Sequence, residues 1–177
     1  IIELSSNSYL ENDELSDPHV NFDELLKSSD GVSVFSGTVL GLFGKLFDKG
    51  KFTEINEIYS KIKEVFGDRF YLEIQRHNDT NENGFEKFNL KQSIELEIPI
   101  IATNEVFYLS KDMHEAHDAL ICIGNKTYIN EKNRLKLSDQ HYLKTNSEMT
   151  ELFADIPEAL ENNYCLLYTS DAADDDR

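Results

Sequence analysis

The order of predicted elements indicates an α/β fold with parallel strands. Three short apolar runs have the composition of strands, and helical patterns lie between them. The runs are GVSVFS at 31–36, FYLEI at 70–74 and IPIIAT at 98–103. A helix between consecutive parallel strands is the usual connection, and such crossovers are right-handed. We therefore expect the carboxyl ends of these strands to meet at one edge of a sheet.

The helices between the strands are predicted from apolar residues at steps of three and four. Residues 51–66 show this pattern clearly, and Gly67 follows as a helix end. In the next helix Leu90, Ile94 and Ile98 recur at steps of four, just before a proline that stops a helix. Both helices are expected to pack an apolar stripe against the sheet.

The second half of the chain contains helix-start signals. Ser110 is predicted to cap a helix that runs through Ile123. Thr145 and Glu148 have the spacing of a capping box, in which each side chain bonds to the other residue's backbone. Pro157 suits the first turn of a further short helix. We interpret the last two segments as packing elements that close the domain.

The composition is that of one folded domain. The chain has 177 residues, of which 40% are hydrophobic and 11% aromatic. No apolar run reaches the roughly eighteen residues of a membrane helix, so we expect no membrane partner. Cys122 and Cys165 lack the spacing of a zinc cage or a disulfide framework. These features predict a cytoplasmic protein.

The charge is strongly negative. There are 34 acidic and 17 basic residues, which give a formal charge of −17. A surface of this sign repels phosphate groups instead of binding them. This segment is therefore not expected to bind DNA, and a protein partner is the better expectation.

Polar side chains follow the second and third predicted strands, where ligands usually bind in parallel α/β sheets. They are Glu73, Gln75, His77, Thr103, Asn104 and Glu105. Glu73, His77 and Glu105 are candidates for a residual polar site. The alternative is that Glu73 and His77 only hydrogen-bond to nearby backbone groups. Arg76 is expected to pair with a carboxylate, and its positive charge disfavours a metal ion beside it.

Two other motifs fail the spacing tests for known chemistry. His114 and His117 are three residues apart, whereas a zinc-protease helix needs four. His117 and Asp118 are better explained as anchors between their helix and a loop. The glycine-rich segment at 36–47 contains Lys45 without a following Ser or Thr, so it does not match a phosphate-binding loop.

Four segments together resemble the PHP (polymerase and histidinol phosphatase) domains of bacterial replicative DNA polymerases, most closely the proteobacterial form. The segments are SVFSGTVLG, FGDRFYLEIQRH, IPIIATNEVFYLSKDMHEAHDALICI and HYLKTNSEMTELFADIPEALENN. Their combination is more specific than any one short motif. The resemblance covers residues 1–163. It implies the C-terminal portion of a PHP domain, the second half of a distorted seven-stranded β/α barrel, with the N-terminal His-x-His part missing.

The resemblance also bears on metal binding. Active PHP phosphoesterases hold two or three metal ions with His, Asp, Glu and Cys at strand ends. The family pattern has Cys after Ser-Gly and Asp-x-His after Thr-Asn, where this sequence has Thr38, Glu105 and Phe107. Threonine is a weak neutral ligand and phenylalanine has no lone pair, so only Glu105 remains able to coordinate. We therefore expect no metal, no catalytic residue and no cofactor in this segment.

The function implied by the resemblance belongs to a larger protein. That parent would be a DNA-directed DNA polymerase of chromosomal replication, a nucleotidyltransferase whose Mg²⁺ ions and catalytic carboxylates lie outside this sequence. DNA would be bound by the parent. This segment would be an inactive structural platform for the proofreading exonuclease subunit, with other replicase subunits as further partners. Two alternatives stay open: a stand-alone metal-dependent PHP phosphoesterase, and the error-prone polymerase paralogue.

Residues 164–177 depart from the family pattern. The segment CLLYTSDAADDDR has no helical stripe and ends in an acidic run. It resembles a translated sequencing adapter, so we expect a non-native, disordered tail after a domain that spans residues 1–163.

Overall fold

The computed structural model describes residues 1–10 and 18–171. Helices and strands alternate along most of the chain, as expected for an α/β protein. The elements are α1 (Ile2–Leu10), α2 (Phe22–Lys27), β1 (Val34–Phe35), α3 (Leu42–Asp48), α4 (Phe52–Phe66), β2 (Phe70–Ile74), α5 (Glu82–Leu96), β3 (Ile100–Ala102), α6 (His114–Asn125), α7 (Asn146–Leu152) and α8 (Glu158–Asp171). Short 3₁₀ turns at Gly67–Arg69 and Lys111–Met113 precede β2 and α6.

The strands form a parallel sheet in the order β1-β2-β3. Val34 is paired with Phe70, and Leu72 is paired with Ile100. Helices α3 and α4 connect β1 to β2, and α5 connects β2 to β3. The predicted α/β class with parallel strands is therefore confirmed.

Strand β1 is shorter than the predicted run at 31–36. Gly31 and Gly37 flank it with positive φ values of 65° and 74°, which interrupt an extended backbone. Ser36 still continues the pairing, because its N–H donates to the Tyr71 carbonyl at 3.0 Å. The Ser36 hydroxyl accepts a hydrogen bond from the Glu73 N–H at 2.9 Å. At this position a side chain therefore replaces the backbone carbonyl as the acceptor between β1 and β2.

Helix α4 has the predicted apolar stripe. Ile55, Tyr59, Ile62 and Phe66 are all buried. Gly67 ends the helix with a φ of 58°, a conformation that favours glycine. These side chains contribute to the main hydrophobic core together with Phe70, Leu72 and Ile74 of β2.

Helix α5 buries a different face from the predicted one. Its buried side chains are Phe85, Asn89 and Gln92, whereas Ile94 is 82% exposed. The prediction that Ile94 belongs to a core stripe is wrong. The Tyr59 hydroxyl donates to Asn89 Oδ1 at 3.0 Å. This buried hydrogen bond holds a polar residue of α5 on the inward face of the helix.

The end of α5 also differs from the prediction. The helix ends at Leu96, and Glu97 has a left-handed φ of 52°. A proline disfavours helical backbone in the residue before it, so Ile98 leaves the helix ahead of Pro99. The Ile98 side chain is nevertheless buried, in the turn that leads into β3.

Helix α8 covers the free edge of β3. The side-chain amides of Asn162 and Asn163 donate to the carbonyl oxygens of Ile100 and Ala102 at 2.7 and 2.6 Å. An exposed strand edge would otherwise present unpaired backbone groups. The C-terminal helix therefore closes the sheet, in agreement with its predicted packing role.

The helix starts in the second half follow the predicted signals with one change. The Thr145 hydroxyl accepts from Glu148 N at 3.3 Å, while Glu148 Oε2 accepts from Thr145 N at 2.7 Å, so the capping box is confirmed. Ser110 instead caps the 3₁₀ turn, and α6 begins only at His114.

The tail differs in part from the prediction. Helix α8 extends through Asp171, although residues 164–171 were expected to lack helical structure. Residues 172–177 lie outside the described residues. The non-native origin of residues 164–177 stays a prediction.

Among the described residues, no helix combines the length and the apolar character that crossing a membrane requires.

Phe153 is fully buried in the main core, so we predict that Phe153→Ala lowers the free energy of unfolding by about 3–5 kcal/mol. Urea unfolding followed by circular dichroism measures this loss. Ile94→Ala is the matched control, because Ile94 is mostly exposed and its truncation should change stability by no more than about 0.5 kcal/mol. A larger effect at Ile94 than at Phe153 would contradict the described packing.

Candidate functional site

The carboxyl ends of β2 and β3 carry a first polar network centred on Glu73. Gln75 Nε2 donates to Thr103 Oγ1 at 2.8 Å and to Glu73 Oε1 at 3.2 Å. The Thr103 hydroxyl also donates to Glu73 Oε1. The Glu73 carboxylate is therefore held by neighbouring side chains, and it lines a small cavity that Thr38 and Asp79 also line.

A second cluster contains two stacked histidines. The rings of His77 and His141 are 4.0 Å apart at their centroids and 7° from parallel. Both side chains are buried, with exposed fractions of 1% and 0%. Burial disfavours positive charge on the His77 ring.

His77 is oriented by an amide. Its Nε2 lies 3.0 Å from Asn104 Oδ1, which also accepts from Lys144 Nζ at 3.0 Å. The Asn104 amide nitrogen donates to the Tyr142 carbonyl, so the Asn104 oxygen faces the histidine. His77 therefore carries its proton on Nε2, and Nδ1 has a free lone pair.

His141 is oriented by the backbone. Its Nδ1 lies 3.3 Å from the Glu105 carbonyl oxygen. Its Nε2 lies 3.7 Å from Asp79 Oδ2 and has no hydrogen-bond partner, although it is buried. A proton on Nδ1 leaves a lone pair on Nε2, opposite a carboxylate that is also an acceptor.

Burial shifts the pKa values of two groups in and beside the histidine pair. Burial is the main cause that lowers the pKa of His77 to about 4, and the neighbouring His141 also contributes to this shift. Burial raises the pKa of Glu82, although Glu82 accepts the backbone N–H groups of His77 and Asn78 at 2.7 and 2.8 Å.

The predicted site residues are only partly brought together. Glu105 Oε2 reaches to 3.9 Å from His141 Nδ1, so Glu105 and His77 border the same histidine pair. Glu73 belongs to the separate network with Gln75 and Thr103. The residual polar site of Glu73, His77 and Glu105 therefore consists of two neighbouring networks.

Phe107 lies at the edge of the histidine pair. Its ring centroid is 5.4 Å from that of His141 and 5.5 Å from that of His117. The position where the family pattern has an imidazole thus holds an apolar ring that packs against two histidines. Such a ring excludes water but provides no ligand.

Sequence reasoning missed Asp79 and His141. Asp79 is only two residues after His77, and this short spacing was the one available signal. His141 is 64 positions further along than His77, counted from their numbers, and belongs to no spacing motif. Their contact depends on the loop before α7, whose path no local pattern predicts.

Arg76 pairs with carboxylates, as predicted. Its guanidinium bonds to Glu86 Oε1 and Asp155 Oδ1, each at 2.6 Å, and to the Leu152 carbonyl at 2.6 Å. The same group lies 4.9 Å above the Phe153 ring. Its charge is therefore neutralised away from the histidine pair.

The predicted anchor on α6 is also present, and Asp118 provides it. The Asp118 carboxylate forms two bonds with Arg134, at 2.5 and 2.6 Å. This pair lowers the pKa of Asp118 and fixes α6 to the loop that follows it.

Known proteins resemble this chain along most of its length. Residues 1–77 match the PHP domain family. The chain is 36% identical over 160 residues to DNA polymerase III subunit alpha of Caulobacter vibrioides, and 36% identical over 162 residues to that of Rickettsia bellii. The chain is therefore similar to DNA polymerase III alpha subunits over most of its length. The same subunit of Borreliella burgdorferi is 36% identical over 163 residues.

The matched part of these relatives is small. The alignments cover 90–92% of this chain but only 14% of each relative. The chain therefore aligns with one part of much longer proteins, and most residues of these relatives have no counterpart in it.

We predict that Arg76 and Glu86 are energetically coupled. Both side chains are mostly buried, so Arg76→Met leaves a buried carboxylate without its partner and should cost about 3–5 kcal/mol. The double variant Arg76→Met/Glu86→Leu should recover about 1–3 kcal/mol relative to the sum of the single changes. Urea unfolding of the four proteins measures the cycle. Simple additivity would show that the pair makes no specific contribution.

Proposed function

We propose that this chain is the PHP segment of a DNA polymerase III alpha subunit, the DNA-directed DNA polymerase of chromosomal replication. The observation that carries the proposal is the 36% identity to three such subunits over 90% or more of the chain. The PHP match over residues 1–77 supports it independently. The parent protein would act in the cytoplasm and extend a primer with deoxynucleoside triphosphates. Its Mg²⁺ ions would be held by carboxylates outside these residues.

Within that protein, the described sheet is proposed to be half of a seven-stranded β/α barrel. Parallel strands with helical crossovers support this architecture. The polar residues at the carboxyl ends of β2 and β3 would then face the mouth of the barrel, where PHP phosphoesterases carry out their chemistry.

The segment itself is proposed to be non-catalytic as a phosphoesterase. Thr38 and Phe107 stand where the family pattern has thiolate and imidazole ligands. The Phe107 ring packs against His117 and His141, so apolar contact replaces coordination there. Glu105 alone retains an anionic ligand group among the three positions.

The segment is also proposed to be a platform for other replicase subunits, the proofreading exonuclease subunit among them. A shallow apolar depression of about 430 Å³ lies beside α6. Exposed residues line it, including Phe107, Leu109, Met113 and Leu120. Contiguous exposed apolar side chains commonly mark protein interfaces. The formal charge of −17 supports a protein partner in preference to DNA at this segment.

A stand-alone PHP phosphoesterase is the second candidate. The group of His77, Asp79 and His141, in which both histidines are buried, favours it, because clusters of histidines and carboxylates are typical of metal-dependent hydrolases. The replacement of family ligands at Thr38 and Phe107 argues against it. An activity assay separates the two candidates.

We predict that the full-length protein containing this segment extends a primed DNA template in the presence of Mg²⁺ and that EDTA abolishes the extension. The same preparation should release no phosphate from p-nitrophenyl phosphate when Mn²⁺ or Zn²⁺ is added. The double variant Thr38→Cys/Phe107→His serves as the comparison protein for phosphate release, since it restores the two ligand types of the family pattern. Phosphate release by the unmodified protein, without primer extension, would reverse the order of the two candidates.

We predict that the depression beside α6 binds the proofreading exonuclease subunit of the same organism. Leu109→Asp and Leu120→Asp should each weaken that binding about tenfold or more, because a charge is placed in an apolar contact. Surface plasmon resonance with the full-length protein measures the affinity. Ile94→Asp is the control, since Ile94 is also an exposed apolar residue but lies on α5. Equal losses from all three variants would contradict the assigned surface.

A further inference from the structure

His141 Nε2 and Asp79 Oδ2 face each other in the histidine cluster without a hydrogen bond between them. His141 Nε2 is buried, unpartnered and 3.7 Å from Asp79 Oδ2. If Nδ1 carries the ring proton, both of these atoms are lone-pair acceptors. A buried acceptor without a partner destabilises the folded protein, because no hydrogen bond offsets its loss of hydration. A cation between the two atoms would satisfy both.

Each histidine is already oriented through its other nitrogen. His77 Nε2–H donates to Asn104 Oδ1, and His141 Nδ1 contacts the Glu105 carbonyl. Metal-binding histidines nearly always donate their second N–H to a carbonyl or carboxylate, which fixes the tautomer. The remaining ring nitrogens are the ones available for a ligand bond. One ring nitrogen of each histidine and one carboxylate oxygen of Asp79 all lie within 4.8 Å of one another.

The local charge favours a cation. Glu82 Oε1 lies 3.9 Å from His77 Nδ1, and Glu105 Oε2 lies 3.9 Å from His141 Nδ1. Together with Asp79, these groups place three carboxyls around two imidazoles. The nearby ammonium of Lys144 contacts Asn104 Oδ1, on the Nε2 side of His77.

We propose that His77, Asp79 and His141 bind one divalent transition-metal ion of the Zn²⁺ type. Two imidazole nitrogens and a carboxylate oxygen are a donor set that suits zinc. Three protein ligands leave a fourth position for water or for Glu82. None of the three residues stands at the Thr38, Glu105 or Phe107 positions, so this site is distinct from the eroded family positions.

Binding requires one ring to turn. An ion bound to both rings must lie about 2.0–2.1 Å from each nitrogen and close to both ring planes. Parallel stacked rings do not allow this geometry, so one imidazole must rotate out of the stack. The ion would then replace a stacking contact and connect the end of β2 to the loop before α7.

This proposal departs from the metal-free expectation drawn from the family positions, and it does not depend on the proposed polymerase function. The ion joins two distant parts of the chain, which supports a structural role. Phosphate-ester hydrolysis is not required of it. A failure to observe primer extension would therefore not contradict the metal site. A failure to observe Zn²⁺ binding would likewise not contradict the proposed polymerase function.

The test is a metal titration of the EDTA-treated protein. Isothermal calorimetry with Zn²⁺ should show one ion per chain, and Co²⁺ should give the visible absorption of a four-coordinate site. In ¹⁵N NMR spectra, Zn²⁺ should shift one nitrogen each of His77 and His141. These three readouts use the unmodified protein. Absence of stoichiometric Zn²⁺ binding would overturn the proposal.

Variants locate the ion. Asp79→Asn and His141→Gln should each abolish one-to-one binding and remove the rise in Tm that Zn²⁺ causes in the unmodified protein. His114→Gln is the matched control, because His114 Nε2 contacts the Leu137 carbonyl outside the cluster. Circular dichroism establishes that each variant is folded. Unchanged Zn²⁺ binding by Asp79→Asn and His141→Gln would place the ion elsewhere and overturn the proposal.

Discussion

The central position of β2 is the constraint on which the rest of the structure depends. This strand is hydrogen-bonded to β1 on one side and to β3 on the other, and Phe70, Leu72 and Ile74 are almost completely buried. A strand fixed on both sides delivers the residues that follow it to a defined place. Arg76 and His77 therefore enter two separate networks, although they are neighbours in the sequence.

These two networks illustrate different ways of burying polar groups. The Arg76 guanidinium forms bonds with Glu86 and Asp155, so each charge has a partner. The histidine pair is different, because His141 Nε2 has no donor or acceptor of the required kind. Complete pairing is typical of a structural element, whereas an incomplete polar network marks a place where a further chemical species fits.

Local sequence patterns predicted the elements that depend on residues close together in the sequence. The stripe of α4 and the capping box of Thr145 depend on residues a few positions apart, and both are present. The strands were also recognisable, because each is a short run of residues with strand composition. The buried face of α5 was not predictable in this way, since Asn89 is turned inward by a hydroxyl on another helix.

The candidate site was predictable only in part, for a related reason. His77 and Glu105 follow strands, and the position of strand ends can be read from the sequence. His141 reaches them from a loop whose path depends on tertiary contacts, such as the bond from Phe107 N to the His141 carbonyl. The resemblance to PHP domains directed attention to positions where family ligands are replaced. It gave no information on ligand atoms that other positions supply.

The amides of Asn162 and Asn163 have a consequence for how the sheet can grow. They occupy the outward-facing carbonyls of β3, which a further strand would need for pairing. A strand added at β3 must first displace both amides and move α8. Strands from the remainder of a longer protein would therefore join more readily beside β1, and a barrel built on this sheet would stay open, or be distorted, at the β3 edge.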